Sequence, residues 1–159
     1  MTVSPTIVSR PATRLLMVLM LALGLSGGVA AVSAPPADAA VSASTSMRAL
    51  VYANSKKGTL YLWGSNGPNR FDCSGLTKWA YARAGKTIPR TAAQQYAASI
   101  KISQSQSRPG DLVFFFSGRT VTHNGLRAAR GYVVHSPRTG QRVKLSRIWT
   151  TAVRYGRVR

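Results

Sequence analysis

Apolar residues recur at helical spacing through the first half of the chain and alternate at strand spacing through the second, with the change at Pro109-Gly110. A first helix is predicted over residues 47–55, with Leu50, Val51 and Tyr52 apolar, Ser46 as cap and Gly58 as stop. Gly64-Ser65-Asn66-Gly67-Pro68-Asn69-Arg70 reads as a loop. A second helix starts at Asp72-Cys73-Ser74 and runs to Gly85, with Leu76, Trp79, Ala80 and Ala84 on one face. Thr91-Ala92-Ala93-Gln94 has the form of a capping box and opens a short third helix. Beyond the break, Asp111–Phe116, Val121–Arg127, Tyr132–His135 and Arg142–Leu145 read as strands. Helices first and strands afterwards argue for an α+β domain with a mostly antiparallel sheet.

The N-terminal stretch has a different pattern. Arg10 and Arg14, with no acid, precede the apolar run Leu15-Leu16-Met17-Val18-Leu19-Met20-Leu21-Ala22-Leu23, and Ala37-Asp38-Ala39 suits a signal peptidase. Residues 1–39 are therefore expected to be a secretory signal peptide, 40–46 a linker and 47–159 one domain of ordinary size. Cleavage after Ala31 is an alternative. An uncleaved anchor is another, because Leu15 to Ala37 carries no charge and is long enough to span a bilayer.

Charge narrows the partners without naming one. Lysine and arginine total 22 against three acids, a formal net charge of +19. Apart from Arg10 and Arg14, the basic residues are scattered from Arg48 to Arg159 rather than gathered in an arm. Such a field attracts polyanions but does not specify chemistry. Nucleic-acid binding would rest on charge only, since no helix-turn-helix, zinc pattern or aromatic RNA-binding stretch is visible.

The chemistry falls to one cysteine and two histidines. Cys73 cannot form an intramolecular disulfide, and a lone thiol is ordinarily a small buried residue. Its place where a loop becomes a helix changes that reading. The first turn has unpaired N–H groups and the positive dipole end, which bias a thiol toward thiolate and can receive an oxyanion. His123 and His135 lie 12 residues apart on two strands joined near Ala129–Gly131. Without a bulge, that even spacing is expected to put both imidazoles on one face, as a base and its orienting partner. A zinc site is disfavoured because spacings of 50 and 12 residues match no compact motif.

These residues carry a family resemblance. The chain resembles the NlpC-type cell-wall endopeptidases, papain-like bacterial cysteine peptidases, from about residue 46 to its end. The pieces are Tyr61-Leu62-Trp63-Gly64, Phe71-Asp72-Cys73-Ser74-Gly75-Leu76, Ile88-Pro89-Arg90-Thr91, Arg108-Pro109-Gly110-Asp111-Leu112-Val113-Phe114-Phe115, His123 and His135-Ser136-Pro137. The resemblance implies a papain-like fold with helices packed on the sheet and the nucleophile at a helix N-terminus. It implies Cys73 as nucleophile, His123 as general base, His135 as orienting member and the Tyr61 hydroxyl at the oxyanion site. Asp72, Ser74 and Arg90 would line the substrate groove, although Asp72 could serve only as a helix cap and Arg90 only as a turn brace. The implied reaction is hydrolysis of a peptidoglycan stem peptide, between the γ-carboxyl of D-glutamate and the next diamino acid, with no cofactor. A secreted monomer at the wall or in the periplasmic space is expected, with peptidoglycan stem peptides as substrate and anionic wall polymers as further partners.

One stretch departs from the family pattern. His-Val-Gly-Ile-Tyr is usual where this chain has His123-Asn124-Gly125-Leu126-Arg127. Asn-Gly is a turn pair and buried polar groups are costly unless partnered, so a looser hairpin is expected here. That departure motivates a second reading, a non-catalytic basic wall-binding protein on the same fold. An acyltransferase, passing the acyl group to an amine, would use the same residues.

Overall fold

The computed structural model describes residues 40–159. The expected signal peptide lies outside the described residues. Three helices precede and flank a six-stranded sheet: α1 Ala43–Asn54, α2 Cys73–Arg83, α3 Ala92–Ala98, then β1 Ile100–Ile102, β2 Leu112–Ser117, β3 Thr120–Ala129, β4 Tyr132–His135, β5 Lys144–Arg147 and β6 Val153–Arg157. The strand order is β1-β6-β2-β3-β4-β5, antiparallel throughout. This is the expected α+β architecture.

Helix α1 starts four residues before its predicted start, inside the stretch read as linker. Ser42, not Ser46, is the cap, accepting the Thr45 N–H. Ser46, Ala49, Leu50 and Ala53 form its buried stripe, whereas Val51 faces solvent. Thr91 caps α3 through the predicted capping box with Gln94. The strands β1 and β6 were not anticipated. β1 has three residues and β6, Val153-Arg154-Tyr155-Gly156-Arg157, has two apolar positions, so in each the alternation is too short to stand out.

Strand alternation divides the core between two faces. Leu112, Phe114, Leu126 and Val134 turn toward α1 and α2, joining Ala49, Leu50, Leu76, Ala80 and Tyr81 in the larger cluster. Val113, Phe115, Val133 and Tyr155 form a smaller cluster on the other face. Buried Asp111 pairs with Arg157 at 2.9 Å and accepts the Arg108 N–H at 2.9 Å, fastening the start of β2 to β6. The site is thereby carried on a braced central strand pair, β2 and β3.

Candidate active site

Cys73 opens α2 because Asp72 stops the preceding loop. The Asp72 Oδ1 accepts the Gly75 N–H at 2.6 Å as the helix cap. Gly75 permits the close packing that follows, since a Cβ there would sit 2.1 Å from the Ser65 carbonyl oxygen. The Cys73 sulfur faces its own N–H, that of Ser74 and that of Asn124 on β3. The expected thiolate bias does not hold. Burial is the largest influence and pushes the thiol above its ordinary value, Asp72 adds to the rise, and the three N–H groups are outweighed. At rest Cys73 is a neutral thiol.

His123 and His135 do share a face, but for a reason opposite to the expected one. Ala129 pairs with Tyr132 beside the turn, a register that, continued unbroken, would set His135 opposite Leu126 and away from His123. A bulge between Arg127 and Ala129 shifts the pairing by one, so that Arg127 meets Val133 and Leu126 meets Val134. His135 then falls opposite Gly125, on the face of His123. Gly125 leaves room for it, as an added Cβ would lie 2.9 Å from the His135 Cβ and 2.6 Å from the Val134 carbonyl oxygen. The two rings meet diagonally, His123 Nε2 to His135 Nδ1 at 2.8 Å. Burial lowers His123 to about 4. Burial, then the charges of His123 and Lys144, lower His135 to about 3. Both imidazoles are neutral near pH 7.

Backbone contacts bring the cysteine segment to the histidine strands. The Asn124 N–H, directly after His123, reaches the sulfur. The Ser136 hydroxyl, directly after His135, donates to the Phe71 carbonyl at 2.8 Å. No hydrogen bond joins the sulfur to either imidazole among the described residues. The cysteine and the histidines line two cavities whose walls use consecutive residues of β3, Thr122 in one and His123 in the other.

The cysteine cavity, about 410 Å³, is lined by Trp63, Asp72, Ser74, Arg90 and Thr122. Arg90 forks onto Asp72, pairing with Oδ2 and donating to Oδ1 at 3.1 Å, and also donates to the Ser74 Oγ at 3.1 Å. The Gly64 N–H donates to Asp72 Oδ2 at 3.0 Å. Asp72 is therefore both a helix cap and part of the cavity wall. Tyr61 is tied in by its N–H to the Gln141 carbonyl and by a bridge to Phe71. Burial, then the charges of Cys73 and Asp72, raise its hydroxyl, so it stays protonated and able to donate.

The histidine cavity, about 290 Å³, contains residues the sequence did not single out. Ser146 Oγ lies 2.9 Å from His135 Nε2, completing a chain from Ser146 through His135 to His123. Trp149, 57% exposed, stacks on Phe115 with centroids 4.2 Å apart and tilts over both imidazoles. The predicted fourth strand ended at Leu145, one residue short of Ser146. A serine three residues before a tryptophan carries no further signal.

The expected looseness at Asn124-Gly125 is also corrected. Both residues lie inside β3. Asn124 is fully buried, donating from Nδ2 to Gln95 Oε1 at 2.6 Å and to Thr77 Oγ1 at 3.4 Å. Gln95 in turn donates from Nε2 to the Ser74 carbonyl at 3.0 Å and the Pro89 carbonyl at 2.8 Å. Arg127 donates to the Ser107 carbonyl at 2.5 Å. Apart from the Asn124 Oδ1, these polar groups are partnered, and they join α2, α3 and β3.

Comparison with known proteins agrees with this layout. A probable endopeptidase of Corynebacterium glutamicum is 46% identical over 107 residues, 67% of this chain and 50% of that protein. The bifunctional muramidase/DL-endopeptidase CwlT of Bacillus subtilis is 43% identical over 88 residues, 53% of this chain and 27% of that protein. The chain thus spans half or less of these relatives. The crystal structure of the NlpC/p60 domain of peptidoglycan hydrolase SagA superposes with a TM-score of 0.64 at 31% identity, over 72% of this chain and 98% of that one. RipD of Mycobacterium tuberculosis, described as a non-catalytic NlpC/p60 domain protein adapted to peptidoglycan binding, gives 0.62 at 26%, over 72% and 96%. The sequence model of the NlpC/P60 family matches residues 58–156. On that match, and with its three helices on an antiparallel sheet, the chain belongs to the NlpC/P60 family.

Proposed function

We propose that this domain is a peptidoglycan endopeptidase that cuts the stem peptide through an acyl-enzyme on Cys73. The observation that carries the reading is the placement of the Cys73 sulfur against the Asn124 N–H, one residue from a His123 already oriented by His135. The names of relatives, endopeptidase and DL-endopeptidase, support a bond running from a D to an L residue, and D-γ-glutamyl to diamino acid is the bond we assign. With such a substrate, the working location we assign is outside the cytoplasm, at the wall.

The tautomers follow from the hydrogen-bond chain. For His123 Nδ1 to take a proton, Nε2 must hold the ring's own proton and donate it to His135 Nδ1. His135 then carries its proton on Nε2 and donates to Ser146 Oγ. The thiol proton passes to His123 Nδ1 as sulfur attacks the carbonyl carbon, and the oxyanion faces the first-turn N–H groups of α2 and the Tyr61 hydroxyl. Collapse breaks the C–N bond while His123 returns the proton to the leaving nitrogen. Water then attacks the thioester, giving a proton to His123 and the acid product to solution, and the thiol is restored.

A resting thiol without an imidazole partner is common before substrate binds, since catalytic hydrogen bonds often tighten only in the complex. It also favours the second reading, wall binding without turnover, as described for RipD. Digestion of purified muropeptides separates the two. New amino and carboxyl termini from the unaltered protein, and none from Cys73→Ala, are expected; binding without any cleavage by either would support the binding protein instead.

A further inference from the structure

We propose that the cavity at the β2–β3 hairpin end of the sheet, beside the cysteine cavity, binds the phosphate groups of an anionic wall polymer. The binding rests on the cavity itself; the choice of a wall polymer as occupant rests on the endopeptidase reading.

This cavity, about 580 Å³, is walled by α3, the hairpin and β6, through Ala93, Tyr96, Phe116, Arg119, Val121 and Arg154. Ala93 and Val121 also line the cysteine cavity, so the two are adjoining stretches of one surface. The cations in it are placed rather than scattered. The Arg154 guanidinium lies 4.6 Å over the Phe116 centroid and donates to the Tyr96 Oη at 3.3 Å. That contact fixes the plane of the fork and leaves most of its N–H groups unused. Arg119 sits exposed in the hairpin turn, and its side chain makes no hydrogen bond or ion pair among the described residues. Asp72 and Asp111, the carboxylate side chains among the described residues, are each already held by another arginine.

Two unneutralised guanidinium forks on one concave wall suit a phosphate, whose non-bridging oxygens can each accept more than one N–H. A chain of phosphodiesters is also drawn by the +19 net charge, which a single anion exploits far less.

Nucleic acid carries the same phosphodiester, and the aromatic side chains decide between the two. Single strands gain by stacking bases on open rings. Here Arg154 covers Phe116, the Lys101 ammonium lies 4.2 Å over the Tyr96 centroid, and the two rings meet edge to face at 5.1 Å. A polymer without bases loses nothing by that. A stem peptide held over Cys73 would also bring the wall, and the polymers fixed to it, against the adjoining cavity.

The test is isothermal titration of the full chain with poly(glycerol phosphate) of defined length, at fixed ionic strength. R119Q and R154Q should each weaken binding about fivefold, and the double variant about twentyfold, the scale of partly exposed charge-assisted contacts. R130Q and K57Q remove the same charge from exposed positions elsewhere and should change Kd by about twofold or less. Arg119 and Arg154 are exposed, so thermal melts of all variants should match the parent. No binding by the parent, or equal losses in all four single variants, would overturn the site. Tighter binding of charge-matched single-stranded DNA, lost in R119Q and R154Q, would overturn the polymer as its occupant. Muropeptide digestion reads the endopeptidase separately, so either can fail alone.

Discussion

Ser136 donates its hydroxyl to the Phe71 carbonyl at 2.8 Å, joining the residue after His135 to the segment that delivers Cys73. The contact is fully buried and spans 65 residues of sequence. It holds the Cys73 segment and the histidine strand in register, the alignment that the proposed reaction would need. Ser136→Ala should cost about 1 kcal/mol of stability. Turnover should fall further, about tenfold, because a small displacement between reacting groups is costly. Denaturant melts and kcat measured on one preparation check this; an unchanged kcat would show that the tie does not set the geometry.

Ser146 is expected to act as a positioning residue through His135. Without its hydroxyl, His135 loses the acceptor that favours its Nε2–H form, and His123 loses part of its orientation. Ser146→Ala should lower kcat several-fold with little change in KM, and Ser146→Thr should restore much of it. Nitrogen chemical shifts of the His135 ring report the tautomer directly; the same shifts in both proteins would remove Ser146 from the relay.

Alkylation should reveal the neutral thiol. Burial holds Cys73 above its ordinary value, so the thiolate fraction at pH 7 is small and grows only as pH rises through the alkaline range. Iodoacetamide modification of the resting protein should therefore be slow at neutral pH and accelerate above pH ~9. Rapid modification on a plateau from mildly acidic pH would indicate a preformed thiolate–imidazolium pair.

The buried imidazoles set an acid limit on stability. Their values fall from about 6.5 unfolded to about 4 for His123 and about 3 for His135, so between these limits the unfolded chain binds more protons than the native one. Stability is therefore complete above pH ~6.5 and is lost on acidification toward pH ~3, by on the order of a few kcal/mol. Calorimetric Tm should drop steeply over that window, and less so in His135→Asn. A flat Tm between pH 7 and 4 would contradict the burial of neutral rings.

Asn124 gives a prediction whose sign is not obvious. Its Nδ2 bonds Gln95, but its Oδ1 is buried without a partner. Asn124→Val removes the short bond to Gln95, worth about 1 kcal/mol, the long contact to Thr77 at 3.4 Å, and an orphaned acceptor costing about 1–3 kcal/mol. Valine suits a strand, and Gln95 Oε1 keeps the Thr77 hydroxyl at 2.7 Å. Asn124→Val should match or exceed the parent in Tm, whereas Gln95→Ala, which frees the Ser74 and Pro89 carbonyls, should lose about 2 kcal/mol. A large loss in Asn124→Val would mean the amide is indispensable to the brace.

Local chemistry was legible in the sequence where it is local in space. Thr91 and Gln94 announce α3 by a pattern four residues long, and Asp72-Cys73-Ser74 announces the start of α2. The bulge after Arg127 was not legible, because it is a property of two paired strands rather than of either one. The even spacing of the histidines was read as sufficient, yet in this hairpin it succeeds only through that bulge. The thiolate bias failed for a similar reason. A helix start can be seen in four residues, but the burial that outweighs it is a property of the packed fold. The polar partners of Asn124 come from Thr77 and Gln95, 47 and 29 residues away, beyond any local pattern.

Intact-protein mass spectrometry of a quenched turnover mixture bears most directly on the role of Cys73. With a stem peptide as substrate, the protein should gain the mass of the acyl half of that peptide, mapped to Cys73, before product accumulates. Cys73→Ala should show neither adduct nor product. Undiminished product from Cys73→Ala, with no adduct on the parent, would contradict nucleophilic catalysis by that sulfur.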